Sequence, residues 1–342
     1  MRIAQVMAGA PQGGAELFFE RMTVALADSG QAVLPVVRGD AVRMARLIEA
    51  GLRPVELAFG GPFDLATKPR MAEALKGFRA DTAIAWMSRA AAKLPRGAWT
   101  NIGRLGGYYD LKYYRACDYL VGNTRGIVDW IAAQDRWPRE RIKYLPNFVD
   151  DFGETEPASR DSLGVPEDAR VMLGLGRLHA VKGFDTLIRA AALLPEVYCL
   201  IAGEGPERQR LAALISDLRV GERVRLLGWR EDTGALLKAA DIFVSSSRHE
   251  PLGNMVLEAF AAQTPVLATK SEGPAEVIRH GEDGWLVPVD DVAALAAAAR
   301  AMLGDVRLRV KLALAARQRY AAEFSREVVV KAWLEFLEVA KR

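Results

Sequence analysis

The sequence predicts an α/β protein built from two parallel-sheet halves, and three observations carry that expectation. Short apolar runs of strand length alternate with segments of helical composition along most of the chain. Several of these runs end on glycine, as turns from a strand into a helix require. A polar, breaker-rich stretch interrupts the rhythm near the middle of the 342 residues, a length that suits two domains each burying its own core.

In order, the strand-like runs are 3–8, 33–37, 82–86 and 118–121, then 171–175, 197–202, 224–227, 242–245 and 266–269. Strand and helix in alternation are the signature of parallel sheets. The break lies between Pro146 and Pro166, where Asp150-Asp151-Phe152-Gly153-Glu154-Thr155-Glu156-Pro157 is acidic and rich in breakers. The expected domains are therefore 1–150 and 151–324. After Pro288 the pattern is helical: an Ala-rich 292–303, then 306–323, then an amphipathic 328–339 bearing Trp333 and Phe336.

Hydrophobic residues make up 51% and charged residues 26%, a globular balance, and no apolar run approaches the roughly 20 residues that span a bilayer. The first residues run directly into a strand without the pattern of a secretion signal, which points to the cytoplasm. Cys117 and Cys199 lie far apart in apolar segments and outside any Cys-x-x-Cys pair, as reduced core thiols would. Charge is uneven. Residues 1–150 hold 21 Lys+Arg against 15 Asp+Glu, and the remainder 25 against 28, so any acidic partner is expected on the first half. Nucleic acid is not expected.

Open parallel sheets bind ligands beyond the carboxyl ends of their strands, so the strand-to-helix loops are the candidate sites. Gly9-Ala10-Pro11-Gln12-Gly13-Gly14-Ala15-Glu16 follows the first strand, where small residues let backbone amides approach an anion. Gly174-Leu175-Gly176-Arg177-Leu178 ends the first strand of the second half and Lys182-Gly183 opens its helix, which offers two cations to a diphosphate. Gly203-Glu204-Gly205-Pro206 and Gly228-Trp229 end the next two strands. Glu250 and Glu258 flank Pro251-Leu252-Gly253-Asn254-Met255-Val256-Leu257, one carboxylate in the loop and the other about one turn inside the helix. Carboxylates accept hydrogen bonds from paired hydroxyls while the helix start suits a phosphate, so this segment reads as a grip on a sugar nucleotide. No strand end carries a full Gly-x-Gly-x-x-Gly, and the glycine-rich ATP loop is missing, which argues against plain dinucleotide or ATP binding.

Taken in order, Gly176-Arg177-Leu178 with Lys182-Gly183, Gly203-Glu204-Gly205-Pro206, Leu226-Leu227-Gly228, Glu250-Pro251-Leu252-Gly253 with Glu258, Pro265-Val266-Leu267-Ala268, Gly273-Pro274-Ala275-Glu276 and Gly281-Glu282-Asp283-Gly284-Trp285-Leu286-Val287 resemble the retaining glycosyltransferases of family 4, the group 1 glycosyl transferases. The match is close over 171–290. The resemblance implies a GT-B fold of two Rossmann-like domains facing a cleft, the acceptor on the first and the donor nucleotide mostly on the second. It also implies a last helix, about 325–342, that crosses back to the first domain. Leu145-Pro146-Asn147-Phe148-Val149-Asp150 looks like the family's junction between domains, placing a hinge near 146–165.

Carried over, Glu258 looks like the carboxylate on the ribose hydroxyls, Glu250 the one on the donor sugar, and Arg177 with Lys182 the pair that neutralises the diphosphate. Gly13, Gly14, Gly176, Gly203, Glu204, Gly228, Trp229, Leu252, Gly253 and Asn254 complete the expected donor site. The family's favoured chemistry is same-face attack: the leaving phosphate takes the acceptor's proton while its bond to the sugar breaks. The chain has no Asp-x-Asp triplet, so neither a bridging metal nor a cofactor is expected, the nucleoside diphosphate sugar being the donor substrate.

The chain departs from the family at one place. Many relatives carry a first-domain histidine near the reacting sugar, whereas His179, His249 and His280 all lie in the second half. The matching region is Asn101-Ile102-Gly103-Arg104-Leu105-Gly106-Gly107-Tyr108-Tyr109-Asp110, which makes Arg104 and Tyr108 candidate donor or acceptor contacts; His249, beside Glu250, is a third. Trp86-Met87-Ser88-Arg89, Lys93-Leu94-Pro95-Arg96, Trp99 and Lys112-Tyr113-Tyr114-Arg115 mix aromatic and basic side chains as membrane-surface segments do. The resulting expectation is a metal-independent hexosyltransferase, peripheral to the inner face of the cell membrane, acting on a lipid-linked or surface glycan such as lipopolysaccharide. The alternatives are a sucrose- or trehalose-type synthase, a sugar-nucleotide epimerase, or a catalytically weak glycan- or nucleotide-sugar-binding protein.

Overall fold

The computed structural model describes residues 1–10, 13–61 and 63–341. Pro11 and Gln12 of the first glycine-rich loop lie outside the described residues. The chain divides into two compact units, Met1–Phe148 with Arg326–Arg342, and Val149–Ser325.

The first unit is a parallel sheet of β1 (Arg2–Met7), β2 (Ala32–Arg38), β3 (Val55–Leu57), β4 (Thr82–Trp86), β5 (Thr100–Leu105), β6 (Tyr119–Gly122) and β7 (Ile142–Tyr144), in the order β3-β2-β1-β4-β5-β6-β7. Its order turns back between β1 and β4, which pair in parallel. Side chains alternate across the sheet as a strand period of two demands: Ala83 and Ala85 join one core, Ile84 and Trp86 the other. Helix Arg326–Ala340 lies on the second face, where Trp333 and Phe336 pack with Phe18, Phe19 and Trp86, and its end is held by Thr100 Oγ1 donating to the Ala340 carbonyl at 2.8 Å.

The second unit repeats the design with β8 (Arg170–Leu175), β9 (Val197–Ala202), β10 (Val224–Gly228), β11 (Ile242–Ser245), β12 (Val266–Thr269) and β13 (Trp285–Val287), ordered β10-β9-β8-β11-β12-β13. Val171, Leu173 and Leu175 point into one core and Met172 into the other. The order turns back between β8 and β11, which makes their carboxyl ends the natural ligand crevice. Two of its helices start on side-chain caps: Asp291 accepts from Ala294 N–H and Asp305 from Leu308 N–H. Cys117 and Cys199 are both buried and unbridged, and burial pushes the Cys199 thiol up to about 12.

Four strands escape an apolar-run reading. β3, β7 and β13 are three residues long, too short to show a period. β5 is buried along its length yet reads Thr-Asn-Ile-Gly-Arg-Leu; Asn101 is tied by Trp99 Nε1 and donates to the carbonyls of Pro95 and Ala116, so its polarity is satisfied inside the protein. Gly103 is required there, because a Cβ would stand 2.5 Å from the Tyr114 ring.

The membrane-surface reading of the aromatic segments needs correcting. Trp86, Trp99 and Tyr114 are core residues, and only Tyr113 of the named aromatic rings is exposed. Their neighbours in sequence are basic because the strands and turns end at the surface, while the rings fill the two faces of the sheet. Among the described residues, no helix is long and apolar enough to cross a membrane.

Removing the Trp333 ring opens a cavity under the first sheet, and Trp333→Ala should cost about 3–5 kcal/mol. Guanidinium unfolding followed by tryptophan fluorescence measures it; a loss below 1 kcal/mol would show that the C-terminal helix does not help hold this unit together.

Candidate active site

In the second unit the carboxyl ends of β8 and β11 bring two charged side chains together. Chain leaving β8 turns at Gly176 and forms a 3-10 turn, Ala180–Lys182; chain leaving β11 runs through Ser246 and Ser247 to Glu250. Lys182 Nζ donates to Glu250 Oε2 in a close ion pair, and Ser247 Oγ approaches the same oxygen at 3.5 Å. Lys182, Ser245, Ser247, Glu250, Gly253 and Val256 line a small hollow at this point.

The meeting is enforced by bonds remote in sequence. Ser246 Oγ donates to the Lys182 carbonyl at 2.9 Å, and Arg248 N–H to the Val181 carbonyl at 2.7 Å. The Arg248 guanidinium grips both Asp185 carboxylate oxygens at 2.8 and 3.0 Å, and Asp290 at 2.8 Å through Nε. Burial alone would raise the Asp185 pKa, but the hydrogen bonds and charge of Arg248 hold it below the usual carboxylate range. Arg248 was not among the expected site residues. Its partners lie 63 and 42 residues away, and no local spacing announces them.

On its other side the loop rests on Glu272. Gly273 N–H donates to the Glu250 carbonyl at 2.7 Å, and Glu250 N–H to Glu272 Oε2 at 3.2 Å. His249 Nδ1 meets Glu272 Oε1 at 2.7 Å. Burial opposes the Glu272 charge, yet its own backbone N–H, His249 and the Glu250 N–H together lower its pKa. A Cβ on Gly273 would fall 2.3 Å from the Leu252 carbonyl, so the buried Leu252 can lie flat against this helix start only because glycine stands there.

Gly253, in the left-handed conformation, opens helix Asn254–Ala261, and Glu258 stands one turn inside it with 4% of its surface exposed. Gly176 and Gly203 lie back to back: a Cβ on Gly203 would sit 1.9 Å from the Gly176 carbonyl. Glu204 is exposed and paired with Arg208 at 2.8 Å, and it lies against Gly228, where a Cβ would stand 3.2 Å from its Oε1. Arg177 and Trp229 are exposed at the ends of β8 and β10. His179 caps the 3-10 turn, accepting from Val181 N–H at 3.4 Å.

In the first unit, Gly13 and Gly14 begin helix Gly14–Asp28 after β1. The concavity they border holds the Glu16 carboxylate, which accepts from Ala10 N–H at 2.9 Å; a Cβ on Gly9 or Gly13 would stand 2.4 or 2.3 Å from its oxygens. An acidic side chain of the protein thus occupies the space expected to welcome an anion. Arg104 is 1% exposed. Its guanidinium donates to Asn147 Oδ1 and lies 4.9 Å from the Trp86 ring and 5.5 Å from the Phe18 ring, with no ion-paired carboxylate among the described residues. Desolvation lowers its pKa to about 10. In this arrangement the Arg104 side chain is buried. Tyr108 is exposed and packs edge-on against Trp130 at 5.6 Å.

Residues 155–319 match the family described as Glycosyl transferases group 1. The chain is 38% identical over 335 residues to the lipopolysaccharide core biosynthesis glycosyltransferase LpsE of Rhizobium meliloti, covering 95% of this chain and 96% of that protein. It is 34% identical over 344 residues to LpsD of the same organism, described in the same terms, covering 97% of each. Its fold superposes with a TM-score of 0.84 on Anabaena Alr3699/HepE in complex with UDP-glucose, at 22% identity, covering 99% of this chain and 100% of that one.

Arg248→Ala should remove the brace between the two loops and cost on the order of 1–3 kcal/mol, less than a fully buried pair because 30% of the Arg248 side chain meets solvent. Asp185, with its pKa depressed in the folded state, contributes stability that is present above the ordinary aspartate value near 3.9 and is lost as pH falls through the depressed one. The deficit of Arg248→Ala relative to the parent should therefore be largest near neutral pH and shrink as pH falls below the ordinary aspartate value, because only the parent loses the Asp185 contribution there. Identical limbs in a pH series of urea melts would refute the brace.

Proposed function

Because the chain belongs to the group 1 glycosyltransferases, we propose that it is a retaining hexosyltransferase that moves a sugar from a nucleoside diphosphate donor to a lipid-linked glycan, with the lipopolysaccharide core as the favoured acceptor. The support is the 38% and 34% identity, over nearly whole chains, to two proteins so described. The single observation that carries the donor assignment is the meeting of Lys182 and Glu250 at the carboxyl ends of β8 and β11, beside the start of helix Asn254–Ala261.

In this reading the donor diphosphate lies by Lys182 and the exposed Arg177, with the amides at the helix start completing its anion site. Lys182 then exchanges its bond to Glu250 for one to phosphate, which frees the Glu250 carboxylate for the hydroxyls of the transferred sugar. Glu258 accepts from the ribose hydroxyls. The base rests by Gly228, Glu204 and Trp229. As the anomeric carbon to phosphate oxygen bond breaks, the acceptor hydroxyl oxygen bonds to the same face and its proton passes to the leaving phosphate. Charge growing on the diphosphate is met by fixed cations of the protein, with no metal required. The enzyme works at the cytoplasmic face of the membrane, where such acceptors are available. A binding protein without turnover is the competing reading, favoured by the absence of histidine from the first unit.

A panel of UDP-, GDP-, ADP- and TDP-sugars separates the two: slow donor hydrolysis with one of them marks the enzyme, whereas saturable binding without hydrolysis marks the binding protein. Glu258→Ala should weaken donor binding by about tenfold or more, in keeping with roughly 1.5–3 kcal/mol for hydrogen bonds to a charged group. Unchanged affinity in a donor titration would remove Glu258 from the ribose.

A further inference from the structure

The first unit holds a second cavity, of 330 Å³, lined by Arg96, Arg115, Arg136, Arg141, Trp137 and Asp118. We propose that it binds a phosphate-bearing anion at a site separate from the donor site. Every lining residue comes from chain about to enter a strand: Arg96 precedes β5, Arg115 and Asp118 precede β6, and Arg136, Trp137 and Arg141 precede β7. The cavity therefore opens at the amino-terminal edge of the sheet, whereas donor sites of open parallel sheets form at the carboxyl ends. Even the four residues of β6 set the two edges roughly 13 Å apart at about 3.3 Å per residue.

Four guanidinium groups share this cavity with one carboxylate. None of the four is ion-paired with a carboxylate among the described residues, whereas Arg43, Arg139, Arg160, Arg248 and Arg317 are. Asp118 is committed to the fold: its Oδ2 accepts from Asn101 N–H at 2.8 Å. Clustered like charges repel, and an anion relieves that repulsion. The cavity is also shaped. Trp137 Nε1 donates to the Cys117 carbonyl at 3.1 Å, which fixes the indole, and Arg136 lies 5.8 Å from its ring. Arg141 lies 5.8 Å from the Tyr119 ring, and Arg96 donates to the Arg115 carbonyl at 3.1 Å. Planar guanidinium forks fit phosphate oxygens in pairs. The volume stands near the lower end of small-molecule pockets, roughly 300–1,000 Å³, room for a phosphate with the glycerol or sugar that carries it. The basic excess of residues 1–150 thus has a place in the fold.

A phospholipid headgroup and a soluble phosphorylated molecule share this chemistry, and two arms tell them apart. The full chain is tested for flotation with vesicles of phosphatidylcholine, with and without phosphatidylglycerol, and for hydrogen-exchange protection of residues 113–119 and 135–142 on addition of inorganic pyrophosphate. Binding to the anionic vesicles assigns the site to a headgroup, and protection by pyrophosphate assigns it to a soluble phosphate; either supports the proposal. Arg115→Gln with Arg141→Gln should weaken the positive arm at least tenfold while leaving nucleotide binding by the second unit unchanged, and the exposed Arg136→Gln gives a smaller loss if the double variant folds poorly. Absence of both signals in the parent, or equal signals in parent and variants, overturns it. Failure of this test leaves the donor reading untouched, since no residue is shared.

Discussion

The candidate site depends on one constraint, the fastening of the loop after β11 to the 3-10 turn after β8. A lysine and a glutamate 68 residues apart do not find each other through local preference. They meet because β8 and β11 are neighbours in the sheet and because Ser246, Arg248 and Asp185 tie the chain leaving one strand to the chain leaving the other. The brace is chemically specific: a planar guanidinium spans two carboxylates and a carbonyl at once, which an ammonium could not do with the same geometry.

This arrangement gives the ion pair between Lys182 and Glu250 two uses. Without donor, each charge neutralises the other, so neither is left bare at the end of the sheet. In the proposed donor complex both partners would find other polar groups, and the pair would exchange one set of charge-assisted bonds for another. A partly buried pair of this sort contributes little net stability, because desolvation offsets the attraction. Its effect is orientation, holding both side chains at the carboxyl ends of β8 and β11.

The alternation of apolar runs was enough to identify the parallel sheets, and the ordered glycine and carboxylate motifs marked the loops that bring Lys182 and Glu250 together. What escaped was information that is not local. β5 is buried but polar, so its pattern imitates a loop until Asn101 is seen paired within the structure. The basic and aromatic segments around Trp86, Trp99 and Tyr114 resembled an interfacial surface because sequence does not say which way a ring points; in the structure the rings turn inward. Arg104, read in the sequence as following a strand, lies within β5, whose alternation directs it beneath Phe18 and Trp86, where it secures Asn147.

Arg104 and the four-arginine cavity illustrate two ways a parallel sheet can accommodate positive charge. Arg104 is taken out of water and given an amide oxygen and two aromatic faces instead of a counter-charge, and its lowered pKa is the mark of that substitution. The arginines before β5, β6 and β7 are exposed and form no ion pair with a carboxylate among the described residues, so solvent screens their repulsion. Burial fixes the first as part of the fold, while solvent access leaves the second able to exchange water for a ligand. Exposed cations gathered into one cavity are therefore the better indication of binding, even though the buried one has the more perturbed chemistry.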